Sequence, residues 1–364
     1  MRVRSLDSQV VRVPLHGNLA MSIGSFASLD HVMVTLTTTE GLAGRGEATI
    51  VPEFLGESVE QVLADLEVLA GALWDVDVGD LAGVHAAMRR QRPGARSASA
   101  AVDQACHDAL GQEREVPVWR LLGEPANGGT RCTWVMGLQS PAATEDEALS
   151  KRALGFRTFK LKAGIDTDED VVRVRRLREA LGPDALIRLD ANGAYTPEQA
   201  LSVLDRLVAY DLEMVEQPCA AGELDGMARL RRTLGVRVLA DESVLSDEDA
   251  ERVIDSAAAD FVNIKVQKLG GLRPALAIAG RVAASGLGCI VGSCLEVGAG
   301  AAASAHLAAV CPAIAGDSDL AAGLQYSLAT DWAPNWWDSG SRFGRPTGDG
   351  LGLAAARVND PSPC

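Results

Sequence analysis

The sequence predicts an α/β protein in which a (β/α) barrel follows a smaller α+β domain. Three observations carry this. Strand-like segments followed by helical ones fill the first third, the pattern changes near residue 130, and eight short apolar runs then recur, each followed by a polar residue and a helix-capping signal. An open doubly wound sheet is also built of βα units and is the alternative architecture.

In the first part, Val10 to Val13 and the alternating, β-branched Val32 to Thr37 read as strands. Glu40-Gly41, within TTTEGLAGRGEA, marks a hairpin turn and a return strand. From about residue 58 to 122 apolar residues fall three and four apart (Val62, Leu66, Leu69, then Val102, Ala105, Leu110), which is the helical period. The later runs are Cys132 to Met136, Thr158 to Leu161, Leu186 to Leu189, Leu212 to Val215, Val236 to Ala240, Phe261 to Ile264, Cys289 to Val291 and a weak eighth near Ile314. Helix starts are marked by Ser140-Pro141, Thr167 with Asp170, Thr196-Pro197 with Gln199, and Ser246 with Asp249, as capping boxes or N1 prolines.

A length of 364 residues exceeds one simple core and suits a large α/β unit with a smaller partner. Acidic residues outnumber basic ones by 49 to 34, for a formal charge of −15, so the basic footprint that nucleic acid requires is missing. No apolar run approaches the ~20 residues of a membrane span. The opening MRVRSLDSQVVRVPL alternates apolar and polar residues instead of forming the continuous apolar stretch of a signal peptide, so a cytoplasmic location is expected. The seven cysteines include no Cys-x-x-Cys pair, and no two of the five histidines have close ligand spacing. Any metal is therefore expected on carboxylates, which suits a hard cation such as Mg²⁺.

The polar residues ending the runs are the strongest signal. Lys160 and Lys162 are followed by Asp190, Glu216, Asp241, Lys265 and Asp317, with separations from Lys162 onward of 28, 26, 25, 24 and 52. One βα unit has about this length, and the last gap is two units, so each residue is expected at the C-terminal end of a successive strand, where barrel active sites lie. Asp190, Glu216 and Asp241 would repel one another unless a divalent cation stood among them. Lys162 precedes this trio and Lys265 follows it, which places two amines on opposite sides of a bound substrate. Lys160 shares the face of Lys162. Burial and a neighbouring cation are expected to lower an amine's pKa and make it a base. A carboxylate held at the cation would lose its α-proton to give an enediolate. Two opposed lysines then allow racemisation or epimerisation, whereas one lysine with a β-leaving group gives elimination.

The segments FKLKAG (159–164), RLDANGAY (188–195), VEQP (215–218), ADES (240–243) and NIKVQKLGG (263–271), with GEATIV (46–51) and Gly56-Glu57-Ser58, resemble the muconate lactonizing enzyme subgroup of the enolase superfamily. The resemblance covers almost the whole chain. It implies a (β/α)₇β barrel over about residues 129–320, an α+β capping domain over 1–128, and a C-terminal segment, 321–364, packing back on the cap. It further implies Asp190, Glu216 and Asp241 as Mg²⁺ ligands (Mn²⁺ able to substitute), Lys162 and Lys265 as the acid/base pair, Lys160 on the metal-bound carboxylate, and Asn192 and Glu242 just outside the ligands. The mandelate racemase subgroup has a histidine where Lys265 stands and is set aside.

Asp317 and Asp319 look like the Asp-x-Asp of dipeptide epimerases, which receives an α-ammonium group, and Gly316-Asp317 also resembles a segment of N-acylamino acid racemases. Cys294 and Glu296, in GSCLEVG, are expected to touch substrate, with Glu296 alternatively a buried partner of a lysine. Two cap loops, about 16–29 and 50–56, are expected to set specificity. The first offers Phe26 and holds no arginine to clamp a second carboxylate. Trp332, Trp336 and Trp337 suggest packing of the tail on the cap, with an aromatic cage as the alternative. Residues 298–303 match Gly-x-Gly-x-x-Ala, but the dinucleotide fingerprint follows its strand at once, and here residues 293–297 intervene. These small residues are expected to let a helix start close to the strands or to bind a substrate anion.

The expected function is Mg²⁺-dependent epimerisation or racemisation of a dipeptide or N-acylamino acid by a homo-oligomer that takes a small carboxylate substrate and neither nucleic acid nor membrane. The alternatives are a lyase or cycloisomerase of the same subgroup (a dehydratase, an o-succinylbenzoate synthase-like enzyme or a muconate lactonizing enzyme) and, from another class, a non-catalytic barrel.

Overall fold

A computed structural model describes residues 1–74, 76–126, 129–327 and 341–353. The N-terminal sheet is antiparallel in the order β1 (Val3–Met21), β2 (Gly24–Thr38), β3 (Ala43–Ile50). The first specificity segment is thus mostly strand, the far end of a long β1–β2 hairpin whose register shifts between Pro14 and Leu19, where proline has no N–H for the ladder. The short α1 (Pro52–Leu55) leads into α2 (Val59–Leu73), α3 (Leu81–Gln91), α4 (Arg96–Glu113) and α5 (Val118–Leu122). Val62, Leu66, Leu69, Val102, Ala105 and Leu110 are all buried, as their period requires. Helix α4 lies directly on β3: a Cβ at Gly44 or Gly46 would collide with the carbonyl oxygen of Ala105 or Ala101, so only glycine permits this approach.

After the short β4 (Gly129–Arg131), parallel strands alternate with helices. They are β5 (Thr133–Met136), α6 (Pro141–Ala153), β6 (Thr158–Lys162), α7 (Thr167–Leu181), β7 (Leu186–Asp190), α8 (Pro197–Leu207), β8 (Met214–Glu216), α9 (Leu224–Leu234), β9 (Val238–Ala240), α10 (Asp247–Asp255), β10 (Phe261–Ile264), α11 (Leu272–Ala284), β11 (Gly288–Val291) and α12 (Ala299–Val310). The seven barrel strands pair in sequence order from β5 to β11. The weak eighth run forms no strand of its own, yet it closes the ring. Ile314 bridges to Cys289 of β11 and Ser318 to Cys132 beside β5, through Cys289 N–H to Ala313 O (2.8 Å) and Thr133 N–H to Ser318 O (2.9 Å). Both sheet edges are thereby satisfied, and the doubly wound alternative is ruled out.

Ser140, Thr196 and Ser246 cap α6, α8 and α10 through their side chains, Thr196 in a reciprocal box with Gln199. The cap of α7 lies one residue earlier than expected. Asp166, in extended backbone, accepts from the amides of Asp168 and Glu169, while Asp170 turns inward to accept from Gly164 N and the Tyr195 hydroxyl.

Helices α11 and α12 start with glycine and have no side-chain cap of their own. The cap domain supplies one to each. Asp103 of α4 accepts from Leu272 N at 2.6 Å, and Glu47 of β3 accepts from Val297 N, Gly298 N and Gly300 N at 2.8, 2.8 and 3.0 Å. Carboxylates suit these positions because helix N-termini carry partial positive charge and unpaired amides. The small-residue start of α12 therefore takes an internal carboxylate, which replaces the substrate anion considered from sequence. Gln267, after β10, also pairs its side-chain amide with both backbone groups of Thr49. The described C-terminal residues run beside both domains: β12 (Arg342–Gly344) pairs with β4, and Gly350 and Leu351 bond to Val118 and Asp108. The three tryptophans at 332, 336 and 337 lie outside the described residues. Among the described residues no helix is long and apolar enough to cross a membrane.

Buried Asp103 also contacts His85 Nε2 (2.5 Å) and His107 (3.3 Å). Burial opposes its charge, but the two imidazoles hold its carboxyl below the usual range. Burial also works against the His107 imidazolium, and the Asp103 carboxylate outweighs it and raises His107 above an ordinary histidine. A lowered acid contributes stability above about pH 4 that is lost as pH falls through the folded-state value. The raised His107 contributes below about pH 6.5, and its share is lost as pH rises through its own folded value. Asp103→Asn is therefore expected to flatten both limbs of the pH–stability curve measured by urea unfolding. Unaltered limbs would show that the cluster is not the source of the dependence.

Candidate active site

Counting β5 as the first position of the eight-membered ring, β6 is the second and the end of β10 the sixth, so Lys162 and Lys265 face one another across the barrel mouth. Lys160 and Lys162 alternate inward along β6, and both are buried. Asp190 ends β7, Glu216 ends β8 and Asp241 follows β9, all with essentially no exposed surface. The parallel register sets Lys162 beside Asp190, and Asp190 beside Glu216. In the pocket at this mouth, cap residues Leu19, Met21, Ile23, Val51 and Phe54 face Lys160, Lys162, Lys265, Asn192, Cys294 and Asp319 of the barrel.

The charges interlock. Lys160 Nζ donates to Asp319 at 2.6 Å and Glu216 at 2.9 Å, with Asp190 at 3.4 Å. Lys162 Nζ donates to Asp190 at 2.7 Å and Asn192 Oδ1 at 2.9 Å, and Asn192 in turn donates to Glu242 at 2.9 Å. Lys265 Nζ donates to Asp241 Oδ2 at 2.6 Å. The lysine pKa expectation is reversed in this state. Burial does work against the ammonium, but Asp319 and Glu216 beside Lys160, and Asp241 beside Lys265, outweigh it and raise both pKa values. For either amine to act as a base, the carboxylates' charge must be taken up by something else.

The donor set fits a divalent cation in that role. Burial and then Asp190 push Glu216 up to about 8, and burial with Asp241 pushes Glu242 up to about 7. Glu242 Oε2 and Asp319 Oδ1 are buried without a hydrogen-bond partner among the described residues. The acids are crowded, oxygen-only and short of positive charge, which suits a hard metal ion. Among the described residues no three of them already form a closed metal-holding group, because lysine ammoniums stand between them.

Three residues expected to contact substrate lie outside the lining of this pocket. Asp317 does not reach the pocket: its carboxylate accepts from Thr158 Oγ1 at 2.6 Å, at the start of β6, one step deeper than the Lys160–Asp319 pair. Glu296 folds back onto the Ser293 hydroxyl and Cys294 N and contacts neither pocket nor lysine. Phe26 packs half-buried in a cluster between the domains, and Phe54 provides the aromatic wall instead. Cys294 does line the pocket.

Sequence reasoning missed Lys268, Asn263 and Phe54. Lys268 is buried and donates to Asp241 Oδ1 (2.8 Å) and O (2.6 Å), and Asn263 donates to Glu216 at 2.8 Å. The available signal was NIKVQK itself, in which polar residues precede and follow Lys265 at short spacing.

A family model described as enolase C-terminal domain-like matches residues 143–357, and one for the mandelate racemase / muconate lactonizing enzyme N-terminal domain matches residues 5–123. The chain belongs to the enolase superfamily. Within its muconate lactonizing enzyme subgroup, this enolase-superfamily enzyme is 32% identical to the hydrophobic dipeptide epimerase of Enterococcus faecalis over 91% of this chain and 94% of that one. It is 33% identical to muconate cycloisomerase 1 of Rhodococcus opacus over 97% and 96%. Its structure superposes on the Enterococcus faecalis V583 dipeptide epimerase complexed with Mg and L-Leu-L-Tyr with a TM-score of 0.92, at 29% identity, covering 98% of this chain and 100% of that one. Relatives at about this identity thus include both epimerases and cycloisomerases of the superfamily.

Proposed function

We propose that this protein is an Mg²⁺-dependent racemase or epimerase acting at the α-carbon of a dipeptide or N-acylamino acid with apolar side chains. The opposition of Lys162 and Lys265 across one pocket carries the reading, because inversion needs a base on one face of the α-carbon and an acid on the other.

Asp190, Glu216 and Asp241 would hold the Mg²⁺, which when bound supplies Lewis-acid stabilisation of the charge developing on the substrate carboxylate. Lys160 then pairs with that carboxylate from the β6 side. One of the two opposed lysines, as free amine, takes the α-proton, and the other, as ammonium, returns a proton to the opposite face. Asn192 and Glu242 keep Lys162 aimed at the pocket, and Asn263 keeps Glu216 turned inward. Asp319 is the acid left to receive an α-ammonium group. Apolar Leu19, Met21, Ile23, Val51 and Val135 leave room for hydrophobic side chains, and no arginine lines the pocket among the described residues, which disfavours a dicarboxylate.

The test is a mass-spectrometric screen of dipeptides and N-acylamino acids in D₂O with Mg²⁺. One deuterium at the α-carbon with an unchanged skeleton is the expected result. Removal of metal with EDTA should stop the exchange, and Mg²⁺ or Mn²⁺ should restore it. Loss of water, ring closure, or binding without exchange would overturn the reading.

A further inference from the structure

The two opposed lysines are held in different ways. Lys162 is fixed by two oxygen acceptors that both belong to the barrel, Asp190 Oδ2 and Asn192 Oδ1. Lys265 has a single carboxylate acceptor, Asp241 Oδ2, and its Nζ lies 4.4 Å from the ring centroid of Phe54. Phe54 belongs to the cap, on the single turn α1, whose start has no side-chain cap and whose end is Gly56 at φ 73°. An aromatic face attracts an ammonium and at the same time keeps water from it. Asp241 and the ring together occupy two directions around Nζ and leave the pocket as the direction open to a substrate. Among the described residues no aromatic ring of the cap lies over Lys162 in this way.

We infer that Phe54 is a positioning residue for Lys265 alone, so that one of the two half-reactions depends on the seating of the cap and the other is built entirely by the barrel. The inference rests on the two-base reading proposed above. In the half-reaction at Lys265, the amine takes the α-proton as the C–H bond breaks and an N–H bond forms. The Lys162 ammonium returns its own proton to the opposite face, and the proton count is unchanged. Losing the ring frees the Lys265 amine to rotate about its stem and admits water, which lowers the fraction of time it points at the α-carbon.

The overall equilibrium constant ties forward and reverse epimerisation together, so the halves must be read separately. A Lys162→Ala enzyme retains only Lys265 and exchanges the α-hydrogen of one epimer, whereas a Lys265→Ala enzyme retains only Lys162 and exchanges that of the other. The probe is the compound that gives the fastest wild-type exchange in the screen, supplied as each pure epimer in D₂O. Adding Phe54→Ala is expected to slow exchange about tenfold or more in the Lys162→Ala background and by less than about twofold in the Lys265→Ala background. Phe54→Tyr should restore most of the loss, and Phe54→Leu, which keeps bulk without the ring, should not. Equal slowing in both backgrounds, or full rescue by leucine, overturns the inference and identifies Phe54 as a general wall of the pocket. Absence of exchange in wild type and both lysine variants overturns the two-base reading itself.

Discussion

Lys162→Ala and Lys265→Ala are each expected to reduce epimerisation by about 10²–10⁴-fold or more, the usual worth of a positioned acid or base, while each leaves exchange of one epimer measurable. The two variants should differ in which epimer they exchange, because the lysines stand at the second and sixth positions of an eight-membered ring and meet opposite faces of whatever lies between them. Neither amine is an adventitious surface charge. Both are buried, each donates to a different carboxylate, and each carboxylate ends or follows a different strand. The measurement is chiral chromatography of the product alongside α-deuterium content. If both variants interconverted the epimers at the wild-type rate, the acid/base assignment would be wrong. If both exchanged the same epimer, the two lysines would not meet opposite faces of the α-carbon.

The largest expected effect on stability comes from a residue outside the pocket. Glu47→Ala removes the acceptor for three backbone amides at the start of α12 and the partner of buried His31, at 2.9 Å. Burial opposes the charge of Glu47, yet the His31 ring and those amides hold its carboxyl below the usual range. Leaving such a set unpaired costs about 3–5 kcal/mol. Urea unfolding should show the loss, and a cap seated less firmly should also raise KM, since five cap residues wall the pocket. Glu47→Gln keeps an acceptor without the charge and should lose less. A wild-type midpoint for Glu47→Ala would mean that the α12 amides find another partner. Gly300 is constrained by the same contact: a Cβ there would lie 2.6 Å from Glu296 Cγ and 3.4 Å from Glu47 Oε2.

Much of the barrel and its charged mouth is legible in the chain. The interval from Lys162 through Asp190, Glu216 and Asp241 to Lys265 repeats the length of one βα unit, and such units can only place these residues at neighbouring strand ends. The eighth segment was weak in sequence for a related reason. Between Ile314 and Ser318 it contributes two bridges and needs no apolar run, because its neighbours β11 and β5 already supply the sheet. Asp317 falls outside the pocket lining because an Asp-x-Asp spacing puts two acids on the same face but says nothing of depth, and two residues along an extended segment separate the Thr158 level from the Lys160 level. Phe26 and Phe54 could not be ranked, because which cap side chain reaches over the barrel depends on how a separate domain docks.

By itself, then, the sequence determined the order of strands and helices, the run of three carboxylates flanked by lysines, and the enolase-superfamily membership those motifs express. All of these are periodic or local, and a repeated unit of constant length carries them without knowledge of any distant contact. Only the tertiary structure decided how the cap sits on the barrel. It showed that Glu47 and Asp103 serve as caps for barrel helices that have none, that Phe54 covers Lys265, and that buried carboxylates outweigh burial and raise the pKa of Lys160 and Lys265. The two helix caps and the Phe54 contact pair groups more than 150 residues apart, and the energy of every such pair depends on burial and distance, which no spacing along the chain records.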